Sequence, residues 1–593
     1  MTTPLQLSIV IPTCNRRDVL LSQTLPAIFQ QDFPPDQYEV IVVVDGSTDG
    51  TAQELRGLRP QCSFRIIEQP HQGPSIARNK GIKAANSELV LFLDDDIICG
   101  PSLLTQHVAA HSTSEPTVVY GSISVAPETP PSVLKYANEP WYENYYGLIA
   151  KQNGIHWPQD VYLISNSSIP RATLLACGGF DENMLAKEDY EIGLRLWKMG
   201  VRFQYLPHAV ACEYFVKPSG YFLHADGNIY GRTEVRLCRK HPEYRPLSVL
   251  AGMGRTPWPK RLIREAILRF PISPANLFTA PVWFAERLCR FSSAHKAGLR
   301  LLAAGRYITE YRAAFEEAGT WKAFQNEFGT RLPVLLYHHV GPQRSGTVAG
   351  LTVSPERFER QVRWLAHRGY KGIHPSDWLR WRREGKGLPD KPILLTFDDG
   401  YADLAKYAFP VLQRYGFGGA VYIVTGQLGG TNAWDEARGS ATLPLLNAEQ
   451  IRYWATRGIE FGAHSRTHAD LTVLSDQALK EEVLGSRGDL QKLLGSRVVS
   501  FAYPYGFYNQ AVRDCVRGGF DLAFIASDHK EGLNHLLTDP HVLLRTMVQT
   551  NDSLLDVACR AQWGFDPFMN LRARLRLRTR LKHVVRVILS RGR

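Results

Sequence analysis

No stretch of this 593-residue sequence supplies the roughly 20 mostly apolar residues that a membrane-spanning helix needs; the nearest candidates are broken by Arg, Glu or Pro. Spanning helices are therefore not expected. Cysteine is sparse, odd in number and scattered (Cys14, Cys62, Cys99, Cys177, Cys212, Cys238, Cys289, Cys515, Cys559), with no paired spacing, which excludes a disulfide frame or a zinc ribbon and suits the reduced thiols of a cytosol. No charged leader followed by an apolar core opens the chain; residues 7–11 run directly into a strand pattern, so secretion is not expected. Low-complexity tracts and internal repeats are missing too. Acids are absent from residues 571–593, which carry nine Lys and Arg; of the net charge of +12, that leaves 12 − 9 = +3 for everything else. The basicity is a tail, and a tail without an aromatic residue for base stacking is a poor nucleic-acid surface.

What is present reads as several globular domains, because 593 residues exceed what one hydrophobic core supports. From 1 to 240, short apolar runs (LSIVIP, EVIVVVD, LVLFLDDD) alternate with helical stretches, the pattern of an α/β domain with a largely parallel sheet. Residues 241–330 turn helical and Arg-rich with Pro punctuation, a helical connector. Strands resume at LPVLLYHHV and alternate with helices over 331–560 (PILLTFDDG, GAVYIVT, IEFGAHS, VVSFAYP, DLAFIAS), a second α/β domain of barrel type. The tail, 561–593, places Leu571, Leu575, Leu581, Val585 and Leu589 at near-helical spacing among arginines. That suits an amphipathic helix on an anionic membrane, and equally a solvated end.

In the first domain a strand ends in Asp94, Asp95 and Asp96, at the carboxyl edge where parallel sheets bind ligands. Such carboxylates suit Mg²⁺ or Mn²⁺, which takes few protein ligands plus diphosphate oxygens; a solvated acidic loop would look the same in isolation. The surroundings decide. LSIVIPTCNR, VVVDGSTDGT, GPSIARNKG and GGFDENMLAKEDYEIGLRL follow in order, and together they resemble the family-two glycosyltransferases over about residues 5 to 240. The resemblance implies a doubly wound, GT-A-like fold and an inverting transfer from a nucleotide-diphosphate sugar. It places Pro12, Thr13, Asp45 and Arg78 near the nucleotide, with Asp94 and Asp95 beside them and Asp96 at the metal. Asp189 matches the family's base, which takes the proton of the acceptor hydroxyl. Ile192 and Leu196 recur at helical spacing after it, so Glu188 and Asp189 are expected in a first helical turn, where the dipole keeps a carboxylate ionised. Glu213 departs from the pattern, since many relatives carry His there.

In the second domain a strand ends in Asp398 and Asp399, and HSRTH places His464 and His468 in a loop after another strand. Two imidazoles and a carboxylate with an open position make a zinc-type hydrolytic site; Asp399 would bind the metal and Asp398 act as general base. TFDDG, HSRTH and FAYPYG, each after an apolar strand, resemble the polysaccharide deacetylases of carbohydrate esterase family four over about residues 332 to 550. The implied fold is a distorted β/α barrel with fewer than eight strands, and the implied metal is zinc or another divalent transition metal. Tyr503, Pro504 and Tyr505 would wall the sugar groove. Two departures stand out: Phe501 occupies a place where many members have Arg, and the C-terminal stretch reads HVLLRTMV where many supply an acid His. LPVLLYHHV resembles circularly rearranged members whose acid His comes from an opening strand. His338 matches it, and His339 would face the opposite side of the strand.

A bifunctional carbohydrate enzyme follows as the expectation: transfer of a sugar, an N-acetylhexosamine by economy, to a glycan or lipid-linked acceptor, and metal-dependent removal of an N-acetyl or O-acetyl group. The alternative is one active head beside a non-catalytic glycan-binding module. The expected location is cytoplasmic, with peripheral contact between the tail and the inner membrane face.

Overall fold

The structure, a computed structural model, describes residues 4–112, 115–151, 165–255, 258–269, 276–288, 292–342, 350–438, 442–526 and 533–565. It forms two compact units, 1–248 with 257–321, and 249–256 with 322–593. The stretch expected as a connector is thus shared, with the helices of 257–321 grouped in the first unit. The expected tail helix lies outside the described residues.

The first unit is built on eight strands: β1 (Leu7–Thr13), β2 (Tyr38–Asp45), β3 (Ser63–Gln69), β4 (Leu89–Phe92), β5 (Ile97–Cys99), β6 (Thr117–Val125), β7 (Ser167–Pro170) and β8 (Arg202–Glu213), in the order β3-β2-β1-β4-β7-β6-β8-β5. The sheet is parallel from β3 to β4 and between β6 and β8, but β7 runs antiparallel to both its neighbours and β5 antiparallel to β8. It is less parallel than the run pattern suggests. β1, β2 and β4 are buried on both faces, which explains their unbroken apolar sequence. The Pro74–Ala84 helix lies directly on β1, where a side chain at Gly81 would put its Cβ 2.2 Å from Val10.

In the second unit, seven parallel strands close on themselves: Leu332–Tyr337, Pro392–Phe397, Gly419–Ile423, Ile459–Ala463, Ser500–Ala502, Leu522–Ala526 and Leu543–Met547. Leu543–Met547 pairs with Leu332–Tyr337, which pairs in turn with Pro392–Phe397 and shuts the barrel. The opening strand of this unit is therefore wedged between its last strand and the strand that carries the acidic pair. Alternation sets the faces: Leu336 and His338 look into the barrel, while Leu335 and Tyr337 join the apolar layer under the outer helices.

Candidate active sites

A cavity of about 870 Å³ opens at the carboxyl ends of β1, β2 and β4. Pro12, Thr13, Asp45, Arg78, Asp94, Asp95 and Asp96 all line it, so the residues singled out in sequence converge. Asp45 is immobilised by three donors, Gln69 Nε2 (2.7 Å) and the amides of Gln72 (2.8 Å) and Gly73 (2.9 Å). Arg78, 4% exposed, donates to Asp94 (2.7 Å) and Glu188 (2.8 Å), which ties the β4 terminus to the Glu188–Lys198 helix. Ser165 donates to the other Asp94 oxygen, at 2.6 Å.

Arg16 and Glu213 complete the acidic end. Arg16 pairs with Asp96 at 2.6 Å, and Thr13 donates to Asp95 at 2.7 Å. Glu213, at the end of β8, accepts from Tyr142. Burial pushes Asp96 well above the carboxylate range, with Glu213 adding repulsion, and pushes Asp95 up to about 6 and Glu213 upward as well. Three crowded acids that resist joint ionisation are a fit for a divalent cation, whose charge relieves both the repulsion and the burial. The role of Arg16 was not read from sequence, although it stands in the TCNR segment.

Asp189 behaves differently from expectation. It occupies the first turn of its helix, but it is 5% exposed and does not line the cavity; the charges that act on it are those of Glu188, Arg78 and Lys187. Burial, then the neighbouring Glu188 charge, push it up to about 7, outweighing the favourable helix terminus. The residue before that turn, Lys187, adopts φ of 54° and is fixed by Glu234.

The second unit holds a cavity of about 280 Å³ at the carboxyl mouth of the barrel. Asp399, His464 and His468 converge there, with their ligand-type atoms within 4.8 Å of one another. Asp399 Oδ1 lies 3.5 Å from His464 Nε2 and 3.3 Å from His468 Nε2. His464 donates its Nδ1 to the Ala502 carbonyl at 2.8 Å, so Nε2 carries the free lone pair that a metal takes. His468 is held between Trp434, ring centroids 4.8 Å apart, and Tyr505 at 4.5 Å. This donor set fits zinc or a similar ion.

Asp398 is buried, and Arg545 clasps it through both carboxylate oxygens at 2.6 and 2.7 Å. Burial alone would raise its pKa; the Arg545 charge reverses this and holds it below the usual range. Arg545 is the functional residue that sequence reasoning missed. It stands on Leu543–Met547, in the very HVLLRTMV stretch noted for lacking a His, and it supplies a guanidinium that Phe501 does not. The available signal was an unexplained Arg inside an apolar strand.

His338 lines the cavity with its Nδ1 buried and unpartnered, and burial lowers its pKa against the pull of Asp399 and Asp398. His339 faces away, paired with Asp403 at 3.1 Å and lying against the Tyr401 ring. The separation of the two histidines is thus as the strand period requires. Tyr503 and Tyr505 line the cavity and Pro504 does not; the Tyr503 hydroxyl is spent on the His541 carbonyl at 3.0 Å. Among the described residues, six non-glycine residues have positive φ: Asp399, Ser465, His468 and Tyr505 at or beside this cavity, and Asn15 and Lys187 beside the sites of the first unit. Backbone strain is concentrated where the chemistry would be.

Comparison with known proteins gives two separate matches. The family model for glycosyl transferase family 2 matches residues 8–160, and that for polysaccharide deacetylase matches residues 385–518. Validoxylamine A glucosyltransferase of Streptomyces hygroscopicus subsp. limoneus is 32% identical over 220 residues, 33% of this chain and 48% of its own length. A putative polysaccharide deacetylase of Bacillus subtilis is 27% identical over 195 residues, 33% of this chain and 63% of that protein. A poly-beta-1,6-N-acetyl-D-glucosamine N-deacetylase of Staphylococcus aureus is 24% identical over 174 residues, covering 28% and 57% of the two chains. The chain therefore spans about half to two thirds of the length of these relatives. Each family-model match falls on one unit and contains the acidic pair or triplet described above, so the chain joins a region that matches glycosyl transferase family 2 to a region that matches polysaccharide deacetylase.

Proposed function

We propose that the first unit transfers an N-acetylhexosamine from a nucleotide-diphosphate donor to a glycan or lipid-linked acceptor with inversion, and that the second unit removes an N-acetyl group from the product. The observation that carries the hydrolytic half is the Asp399, His464, His468 cluster with the Arg545-held Asp398 at its edge and His338 across the cavity. A divalent ion held by that cluster would supply Lewis acidity and a water of lowered pKa. Asp398, kept ionised by Arg545, takes the proton from the attacking water. His338, which lines the same cavity, would protonate the leaving amine. Tyr505 packs against His468 and walls the groove.

In the first unit, Arg78 and Asp45 hold the nucleotide end, and Asp94, Asp96 and Glu213 are the oxygens for Mg²⁺ or Mn²⁺, whose charge would neutralise the diphosphate. Asp189 is the base. If Glu213 is a cation ligand, Glu213→Ala should weaken Mn²⁺ binding measured by calorimetry by at least about ten-fold while Glu213→His largely keeps it; equal affinity in all three proteins would remove Glu213 from the site. Since nucleotide-sugars are supplied in the cytoplasm, both reactions are placed there.

The transferase relative is named for glucose and the deacetylase relative for a polymer of N-acetylglucosamine, so whether the sugar transferred is the one deacetylated is what the experiment must decide. Purified protein is incubated with UDP-N-acetylglucosamine or UDP-glucose and the product masses are compared, and acetate release from N-acetylated chitooligosaccharides is followed in parallel. Chelation should abolish acetate release and zinc should restore it. A product that carries glucose, with acetate still released from chitooligosaccharides, would leave both heads standing and end the sequential scheme.

A further inference from the structure

The Asn276–Arg287 helix of the first unit has two apolar faces, and among the described residues only one is buried against protein. Val282 (2% exposed) and Ala285 (7%) turn inward against the Ser292–Ala318 helix, where a side chain at Gly298 would put its Cβ 2.9 Å from that of Ala285. Glu286 fixes the helix further by accepting from Ser219 Oγ (2.9 Å) and the Val133 amide (3.2 Å). The helix is therefore held rigidly from behind. On the other side, Leu277, Pro281, Phe284 and Leu288 recur at i, i+4, i+7 and i+11, one continuous stripe, and Leu277 is 76%, Phe284 61% and Leu288 37% exposed. Burying such a stripe is favourable, and a soluble surface rarely leaves one open.

Charge selects the occupant. Between residues 257 and 300 the sequence holds eight Lys and Arg against only Glu265 and Glu286, and Glu286 is engaged internally. Arg269, Arg287, Lys296 and Arg300 are exposed. Arg287 lies over the Trp283 ring at 4.0 Å, and Trp283 is itself 56% exposed, an aromatic and cation pair of the kind that sits at a lipid headgroup boundary. A second copy of this chain would bring the same positive charge against itself, and one four-residue stripe falls far short of the roughly 800 Å² per partner of a stable interface.

We propose that this helix docks the enzyme on an anionic lipid surface, lying in the interface with its stripe among the acyl chains and its basic flank against the headgroups. The docking is independent of which sugar is transferred. Ser219–Tyr221, which the helix holds through Glu286, contributes Tyr221 to the wall of the glycosyltransferase cavity, so the docked face is close to the site of transfer.

The test is co-sedimentation of the full chain with vesicles of phosphatidylcholine, alone or with phosphatidylglycerol. The wild type should bind the phosphatidylglycerol vesicles, more weakly at high salt, and Leu277→Glu with Phe284→Glu should lower that binding by at least about ten-fold while acetate release stays unchanged. A companion variant, Arg572→Gln with Arg574→Gln and Arg576→Gln, isolates the basic tail. Binding that survives the helix variant, or that only the tail variant removes, overturns the proposal. So does a wild type that ignores anionic vesicles, or one that instead forms a dimer which the helix variant dissolves.

Discussion

Replacing Arg545 by methionine should destabilise the deacetylase unit by about 3–5 kcal/mol and reduce acetate release by about 10²- to 10⁴-fold. Arg545 is fully buried, and both oxygens of Asp398 depend on it. Methionine keeps most of the side-chain volume and removes the charge, so Asp398 is left buried without a counter-ion. Its pKa then rises, because burial is the largest influence on it and the Arg545 charge is what overcomes that influence. A protonated Asp398 cannot take a proton from water. The two losses are separable: adding Asp398→Asn to the Arg545→Met protein removes the stranded charge, so most of the stability should return while acetate release stays lost. Urea unfolding, with hydrogen exchange along Leu522–Ala526 to assign the transition to this unit, measures the first effect. A single variant as stable and as active as the wild type would mean that the Arg545–Asp398 pair has no part in the chemistry.

That pair also shows where sequence reading stops. The strand list read from the sequence ends at DLAFIAS, and it is the structure that makes 543–547 a strand, on which the period of two puts Arg545 and Met547 on one face. Which strand lies beside it is a matter of barrel closure. Here the opening strand Leu332–Tyr337 is inserted between Leu543–Met547 and Pro392–Phe397, and the guanidinium reaches across it to a carboxylate 147 positions away. Nothing local records that. The local motifs fared better, because Asp399 and His464 sit at the ends of apolar strands with His468 in the loop that follows, and parallel strands bring their carboxyl ends together whatever their order. The same rule gathered Pro12, Thr13, Asp45 and Asp94 at one cavity. It said nothing of Asp189, whose surroundings include Lys187 and a Glu234 from the distant Gly227–Lys240 helix. Burial there is a property of the packed unit, and so is the raised pKa.

Asp189→Asn should lower release of nucleoside diphosphate from the donor by about 10²- to 10⁴-fold if this carboxylate is the base, and the pH profile should show why. Because burial and Glu188 bring Asp189 up to about 7, its ionised form grows as pH rises, so the wild-type rate should climb through about pH 7 and then level. The asparagine variant should lose that limb. Asp189 does not line the cavity, and the turn that holds it is tied to the wall through Glu188 and Arg78; donor binding at Arg78 is therefore the event expected to bring the base within reach. Glu188→Gln discriminates further. It removes a neighbouring negative charge, so Asp189 becomes a stronger acid and the limb should shift to lower pH, with a weakened hold on Arg78 appearing as a higher donor KM. Were Glu188 the base instead, its glutamine variant would abolish the limb and Asp189→Asn would keep it. The direction of the shift, rather than the loss of rate, thus assigns the proton to one carboxylate of the adjacent pair.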